Sequence, residues 1–176
     1  MTIKKDGYYV SQMNLVYWNA SVIKGADASS FQIFNDTWAK DRKCVYCNGQ
    51  KVTKAGVNSF QALNSLYAKD NNHCYYPGGI IKEADVASFR VLDDGVCLFE
   101  SRNGFGDHVH TRRGSQGYAA DAGKVFFHIQ TIGKPCVAAK ADPETFQVLG
   151  CGHGRDEQNV YYEGRGSRRP MSIPSR

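Results

Sequence analysis

The chain contains no run approaching the roughly 20 apolar residues of a membrane-spanning helix, so helical passage through a bilayer is excluded. Acid is missing from residues 164–176, which hold four arginines and leave the preceding 163 residues with only +1 of the total +5. A nearly neutral body argues against nucleic acid as partner, and the Gly-, Ser- and Pro-rich basic end is expected to be a flexible tail. No Ser/His/Asp spacing, phosphate loop or histidine-rich metal motif occurs, so neither catalytic residues nor a cofactor are expected. The six cysteines are too scattered, in too long a chain, to suggest a disulfide framework. Reduced thiols are therefore expected. With no apolar run behind Lys4-Lys5, a cytoplasmic location is the accompanying expectation.

What the chain does have is internal repetition. Ala26-Asp27-Ala28-Ser29-Ser30-Phe31 returns as Ala55-Gly56-Val57-Asn58-Ser59-Phe60, as Ala84-Asp85-Val86-Ala87-Ser88-Phe89 and as Ala141-Asp142-Pro143-Glu144-Thr145-Phe146, the first three phenylalanines standing 29 residues apart. A second track runs Val16-Tyr17-Trp18, Val45-Tyr46-Cys47, Cys74-Tyr75-Tyr76, Val125-Phe126-Phe127 and Val160-Tyr161-Tyr162. A third sets Trp38-Ala39-Lys40-Asp41 against Tyr67-Ala68-Lys69-Asp70. Together they predict a mainly β chain, an array of about four and a half 29-residue units spanning 6–163, with an insertion at 93–117 and the basic tail from 164 to 176.

Each unit is expected to hold three short strands and one helical turn. Phe31-Gln32-Ile33-Phe34 opens the first strand, and Asp70-Asn71-Asn72-His73 is a turn whose aspartate suits the first position. The aromatic triplet alternates faces as a strand does. Asn48-Gly49 then predicts a tight hairpin, and Asp142-Pro143 has the N-cap and first-position proline of a helical turn.

The run Ala68-Lys69-Asp70-Asn71-Asn72-His73-Cys74-Tyr75-Tyr76, echoed in Arg155-Asp156-Glu157-Gln158-Asn159-Val160-Tyr161-Tyr162, resembles the DKNYY-repeat family of bacterial proteins over roughly residues 6–163. That resemblance implies a β-rich repeat fold and a bacterial origin, and it brings no catalytic residues to transfer. Two departures stand out: Gln12 holds the place of the turn aspartate in the first unit, and Gly56 that of the capping Asp in the second.

The repetition also absorbs two apparent motifs. Cys44-Val45-Tyr46-Cys47 looks like half a zinc knuckle, yet Cys47 stands where other units have Trp18, Tyr76, Phe127 and Tyr162, and no second Cys-x-x-Cys follows. Tyr17, Tyr46, Tyr75, Phe126 and Tyr161 should form a ladder on one sheet face, with Val16, Trp18 and their equivalents on the other, and such recurring aromatics are expected to be core.

The period fails between Leu92 and Tyr118, and insertions in repeat proteins supply the binding loops. There Asp107-His108-Val109-His110-Thr111-Arg112-Arg113 gathers the candidate partner-binding residues: Asp107, His108, His110, Arg112 and Arg113. The arginines suit carboxylate or phosphate groups. On a strand, His108 and His110 would share a face, the minimum geometry for two imidazoles on one metal, with Asp107 or Cys97 as the further ligand.

The expected function is a non-catalytic module binding another protein, such as an immunity protein that neutralises an antibacterial toxin. The alternatives are a metal-dependent enzyme or metal-binding protein using His108 and His110, and a nucleic-acid binder acting through the arginine-rich tail.

Overall fold

In the structure, a computed structural model, residues 7–102, 105–106, 108–129 and 133–168 are described, with 99–102, 108–112 and 168 described at the level of the backbone. Among them twenty short strands form five antiparallel sheets, with one 3-10 helix. The first sheet contains β1 (Tyr8–Val10), β2 (Val16–Trp18) and β3 (Ser21–Val22). The second runs β4 (Gln32–Ile33), β5 (Trp38–Lys40), β6 (Val45–Cys47), β7 (Gln50–Val52), and the third β8 (Gln61–Ala62), β9 (Ala68–Lys69), β10 (Cys74–Tyr76), β11 (Gly79–Ile80). These three lie in one compact unit, residues 1–86.

The other compact unit, residues 87–176, holds the remaining two sheets. One has β12 (Arg90–Val91), β13 (Val96–Arg102), β14 (His108–Ala120), β15 (Val125–Ile129) and β16 (Cys136–Val137). The last has β17 (Gln147–Gly150), β18 (His153–Arg155), β19 (Asn159–Tyr162) and β20 (Arg165–Arg168). Strand β20 pairs along β19, so the stretch expected to be tail begins with four residues of ordered sheet.

The expected three strands and a helical turn are corrected to four strands in the second, third and fifth sheets. Trp38-Ala39-Lys40 and Ala68-Lys69, read as a lead into the turn, are strands β5 and β9. A 3-10 helix forms once, at Ala28–Ser30, capped by the Asp27 side chain accepting from Ser29 N. The equivalent segments 57–59, 86–88 and 143–145 are simple turns. Asn48-Gly49 closes β6 on β7 as expected. Both residues have positive φ, 48° and 76°, and a Cβ on Gly49 would lie 2.8 Å from the Cβ of Trp18.

The aromatics are core, though not as one ladder. Phe31 lies between Tyr8 and Tyr46, Phe60 between Trp38 and Tyr75, and Phe146 between Tyr118 and Tyr161, with centroids 5.0–6.0 Å apart and rings tilted by 45–52°. Each phenylalanine thus joins its own sheet to the preceding one, at about 0.5–1.5 kcal/mol per ring pair beyond area burial. Tyr17 instead stacks on Tyr9 at 4.9 Å. Both faces of β6 and β10 are buried, and Cys47 is packed among them with its thiol pushed up to about 12 by burial.

The polar tracks have structural duties as well. Asp41 accepts from the backbone N–H groups of Asp27, Lys43 and Cys44 and from the Tyr46 hydroxyl, at 2.7–2.9 Å. Asp70 repeats this with Gly56, Asn72, His73 and Tyr75. Asp156 does so with Asp142, Gln158, Asn159 and Tyr161. Burial of these carboxylates raises their pKa, but the hydrogen bonds outweigh it and hold all three below the usual value. In the first sheet the position falls to Ser11 rather than Gln12: its hydroxyl accepts from Leu15 N.

Ser30, Ser59 and Ser88 accept from the amide following each turn aspartate, on Arg42, Asn71 and Ala122. Lys40 and Lys69 each reach 17 residues onward, to the carbonyls of Val57 and Val86. Where the lysine position is occupied by Ala120, Arg90 supplies the donor to the matching carbonyl of Pro143. The donor has moved, while the acceptor position is unchanged.

Candidate partner-binding site

With the repeated polar residues engaged internally, the segment between Leu92 and Tyr118 is the longest part of the chain that the repetition does not explain, a shorter break following between Val125 and Phe146, 21 residues apart where Val16 and Phe31 are 15. In the second and third sheets the turn joining the first two strands is closed by an asparagine. Asn35 Oδ1 accepts from Thr37 N and Trp38 N, Asn64 Oδ1 accepts from Leu66 N and Tyr67 N, and Phe34 N and Leu63 N donate to the carbonyls of Trp38 and Tyr67. The fourth sheet keeps this closure. Asp93 Oδ2 accepts from Tyr118 N at 2.8 Å, and Leu92 N donates to Tyr118 O at 2.9 Å. Asp93 and Tyr118 are 25 positions apart where Asn35 and Trp38 are three apart. A 22-residue insertion has been spliced into one turn without leaving that turn's backbone groups unbonded.

Gly117 makes the splice fit, because a Cβ there would run into the Asp93 carboxylate and approach Gly95 Cα to 3.0 Å. Burial raises the pKa of Asp93, opposed by its hydrogen bonds from Tyr118 N and Gly95 N.

The inserted residues do not form an irregular loop, as the broken period suggested. They form an antiparallel ribbon, β13 against the first part of β14, from Val96↔Ser115 to Arg102↔His108. Burial ends quickly along it. Cys97 is 1% exposed, whereas Leu98 on the next rung is 62% exposed and faces an exposed Arg113. At the far end Phe105 is 94% exposed. An exposed aromatic at the end of a ribbon is the kind of group that anchors protein interfaces.

The sequence-predicted residues are distributed along this ribbon. Arg113 is exposed on β14, the backbones of His108, His110 and Arg112 belong to the same strand, and Asp107 lies outside the described residues. The register shifts between Ser101 and Arg102, whose partners are His110 and His108, so simple strand alternation does not govern the two histidines. Among the described residues no three metal-ligating side chains gather.

Cys97, considered as a further metal ligand and as a reduced thiol, is joined to Cys151 in a disulfide with Cα atoms 5.1 Å apart. This corrects the expectation of six reduced thiols. Leu98, Phe105 and Cys151 were not singled out from sequence. The apolar run Val96-Cys97-Leu98-Phe99 was the available signal for β13, and a cysteine inside the insertion, off every repeat track, the signal for the bond.

A family model of the DKNYY family matches residues 8–165, most of the chain. The chain belongs to the DKNYY family. The matched span takes in the turn aspartates, the aromatic triplets and the ribbon alike. No curated protein and no solved structure matches the chain.

Proposed function

We propose that this chain is a non-catalytic module that binds another protein through the β13–β14 ribbon. On this reading its partner is a toxin passed between bacteria, which it neutralises by direct contact as an immunity protein. The observation supporting the reading is the contrast in polar accounting. Body aspartates, serines and lysines close turns and strap sheets, whereas the ribbon carries exposed Leu98, Arg113 and Phe105 outward from a stable base. Apolar anchors beside an arginine suit a protein surface bearing a pocket and a carboxylate. The cytoplasmic location expected from reduced thiols loses that support, since a bond such as Cys97–Cys151 persists where thiols are oxidised.

The test is a ribbonless variant in which residues 94–117 are replaced by Ser-Leu, the pair that joins Asn64 to Tyr67, with Cys151→Ser. It should keep the body's far-UV spectrum while its affinity for a toxin encoded beside its gene falls about 100-fold or more, a loss of about 2.7 kcal/mol, and with it protection of cells. Equal affinity and protection without the ribbon would sink the proposal.

A further inference from the structure

The Cys97–Cys151 bond sits at a particular place on the ribbon. Cys97 pairs with Gly114 on the last buried rung, and beyond it Leu98–Arg102 of β13 and His108–Arg113 of β14 leave the body. Cys151 is exposed, with positive φ (38°), in the turn between β17 and β18, flanked by Gly150 and Gly152. The same turn is held from the other side by Tyr118, whose hydroxyl donates to Gly152 O at 2.7 Å and accepts from Gly164 N at 3.2 Å. In the second and third sheets such turns are joined by Asn35 Nδ2 donating to Asn64 O at 3.1 Å. Asp93 stands in the asparagine's place and carries no amide NH2 to make the same bond. Here Cys97, four residues beyond Asp93, is joined covalently to the neighbouring turn through Cys151.

Loss of the bond leaves the body's own fastenings intact. Phe146 stays between Tyr118 and Tyr161, Arg90 stays on Pro143 O, and Asp156 keeps its four donors. The ribbon's root, by contrast, would keep the Asp93 closure and lose the covalent link between Cys97 and the neighbouring turn, with Gly95 and Gly117 near its two chain crossings. We propose that Cys97–Cys151 is a thiol–disulfide exchange site that fixes the ribbon's direction when oxidised and releases it when reduced. This rests on the reading of the ribbon as the binding surface and names how that surface is regulated.

The exchange chemistry follows from the unequal exposure of the two cysteines. A thiolate of an external dithiol attacks the sulfur of the exposed residue Cys151, the S–S bond breaks, and Cys97 leaves as a thiolate that takes up a proton. The dithiol's second thiolate then displaces Cys151, so the dithiol becomes a disulfide as the protein gains two thiols. Oxidation runs in reverse with a disulfide such as oxidised glutathione, which accepts the two electrons and leaves as two thiols.

Alkylation of the unreduced, denatured chain should label the four cysteines outside the bond, and all six after dithiothreitol. Six labelled before reduction, in protein first treated with oxidised glutathione, would overturn the proposal. Native hydrogen exchange is then compared between the oxidised chain, the reduced chain and the Cys97→Ser/Cys151→Ser variant. Amides of residues 98–113 should exchange at least tenfold faster without the bond, while those of β15 and β19 change less than twofold. Unchanged ribbon protection, or loss in which β15 and β19 follow the ribbon, would mean a plain structural staple and end the idea. The reduced wild type serves if the double variant does not fold. This readout needs no partner: a ribbon that loosens on reduction but binds no toxin in either state refutes the proposed function and leaves the exchange site standing.

Discussion

Residues 35–38 of the second sheet and 93–118 of the fourth perform the same task with very different lengths of chain. In both, a side-chain oxygen accepts from the backbone amide of an aromatic strand residue, Trp38 or Tyr118, and the residue before that acceptor donates its own amide to the same aromatic residue's carbonyl. The short version ends there. In the long version a ribbon emerges between the two bonds, leaving the fold on either side as it was. Because the turn is closed by a side chain rather than by a fixed loop length, it can admit new chain at a modest entropic cost, which grows only logarithmically with loop length. Conservation of the body and novelty of the surface are thus separated at Asp93.

The largest expected effect tests how far the two regions share one closing device. Asp70→Ala would remove the acceptor shared by Gly56 N, Asn72 N, His73 N and the Tyr75 hydroxyl, leaving that hydroxyl only its bond to Lys54 O, and should cost about 3–5 kcal/mol in urea unfolding. Asp121→Ala, where Phe126 replaces the tyrosine and no bond to a hydroxyl is lost, should cost clearly less. Equal losses would show that the hydroxyl contributes nothing.

Acid separates the regions next. His128, opposite Gly117 on β15, is buried and its pKa is lowered from 6.5 to about 4 by desolvation. The unfolded chain therefore binds more protons between these values, and the stabilisation is lost as pH falls from about 6.5 towards 4, by on the order of 3 kcal/mol. Asp41 and Asp70, held below 3.8, lose theirs only at lower pH. Exchange at pH 5 should thus expose β15 before β6, and His128→Leu should abolish the difference. Identical pH profiles for the two strands would contradict this.

Gly117→Ala sharpens the comparison at smaller cost. Its methyl would collide with Asp93, so about 2 kcal/mol should be lost, with ribbon amides the first to lose protection. A uniform loss across the fourth sheet would show that the splice and the sheet are not separable.

The legible features of this chain were those set by neighbouring residues. Asn48-Gly49 needs two left-handed conformations and received them. The triplets around Tyr46 and Tyr75 were identifiable as core because aromatics recur at the same strand position in unit after unit. The start of the interruption after Leu92 was visible as a broken period. What escaped was set by distant partners. Strand β5 forms on pairing with β4 and β6, which Trp38-Ala39-Lys40 alone does not announce. Ser11 takes the turn position because the first turn is one residue longer, with Ser11 N donating to Leu15 O where Asp41 N donates to Cys44 O. The disulfide depends on bringing together residues 54 positions apart.

The turn aspartates also bear on how the molecule comes into being. Each ties together backbone 14 residues apart, Asp27 to Asp41, Gly56 to Asp70 and Asp142 to Asp156. Closure of so short a segment takes on the order of 100 ns, and a fold rich in such local contacts is fast to form for an all-β chain. A sheet can therefore form early and recruit its neighbour in the same unit through one phenylalanine, as Phe31, Phe60 and Phe146 do. Synthesis can proceed with finished structure forming behind it, long before the last strand exists.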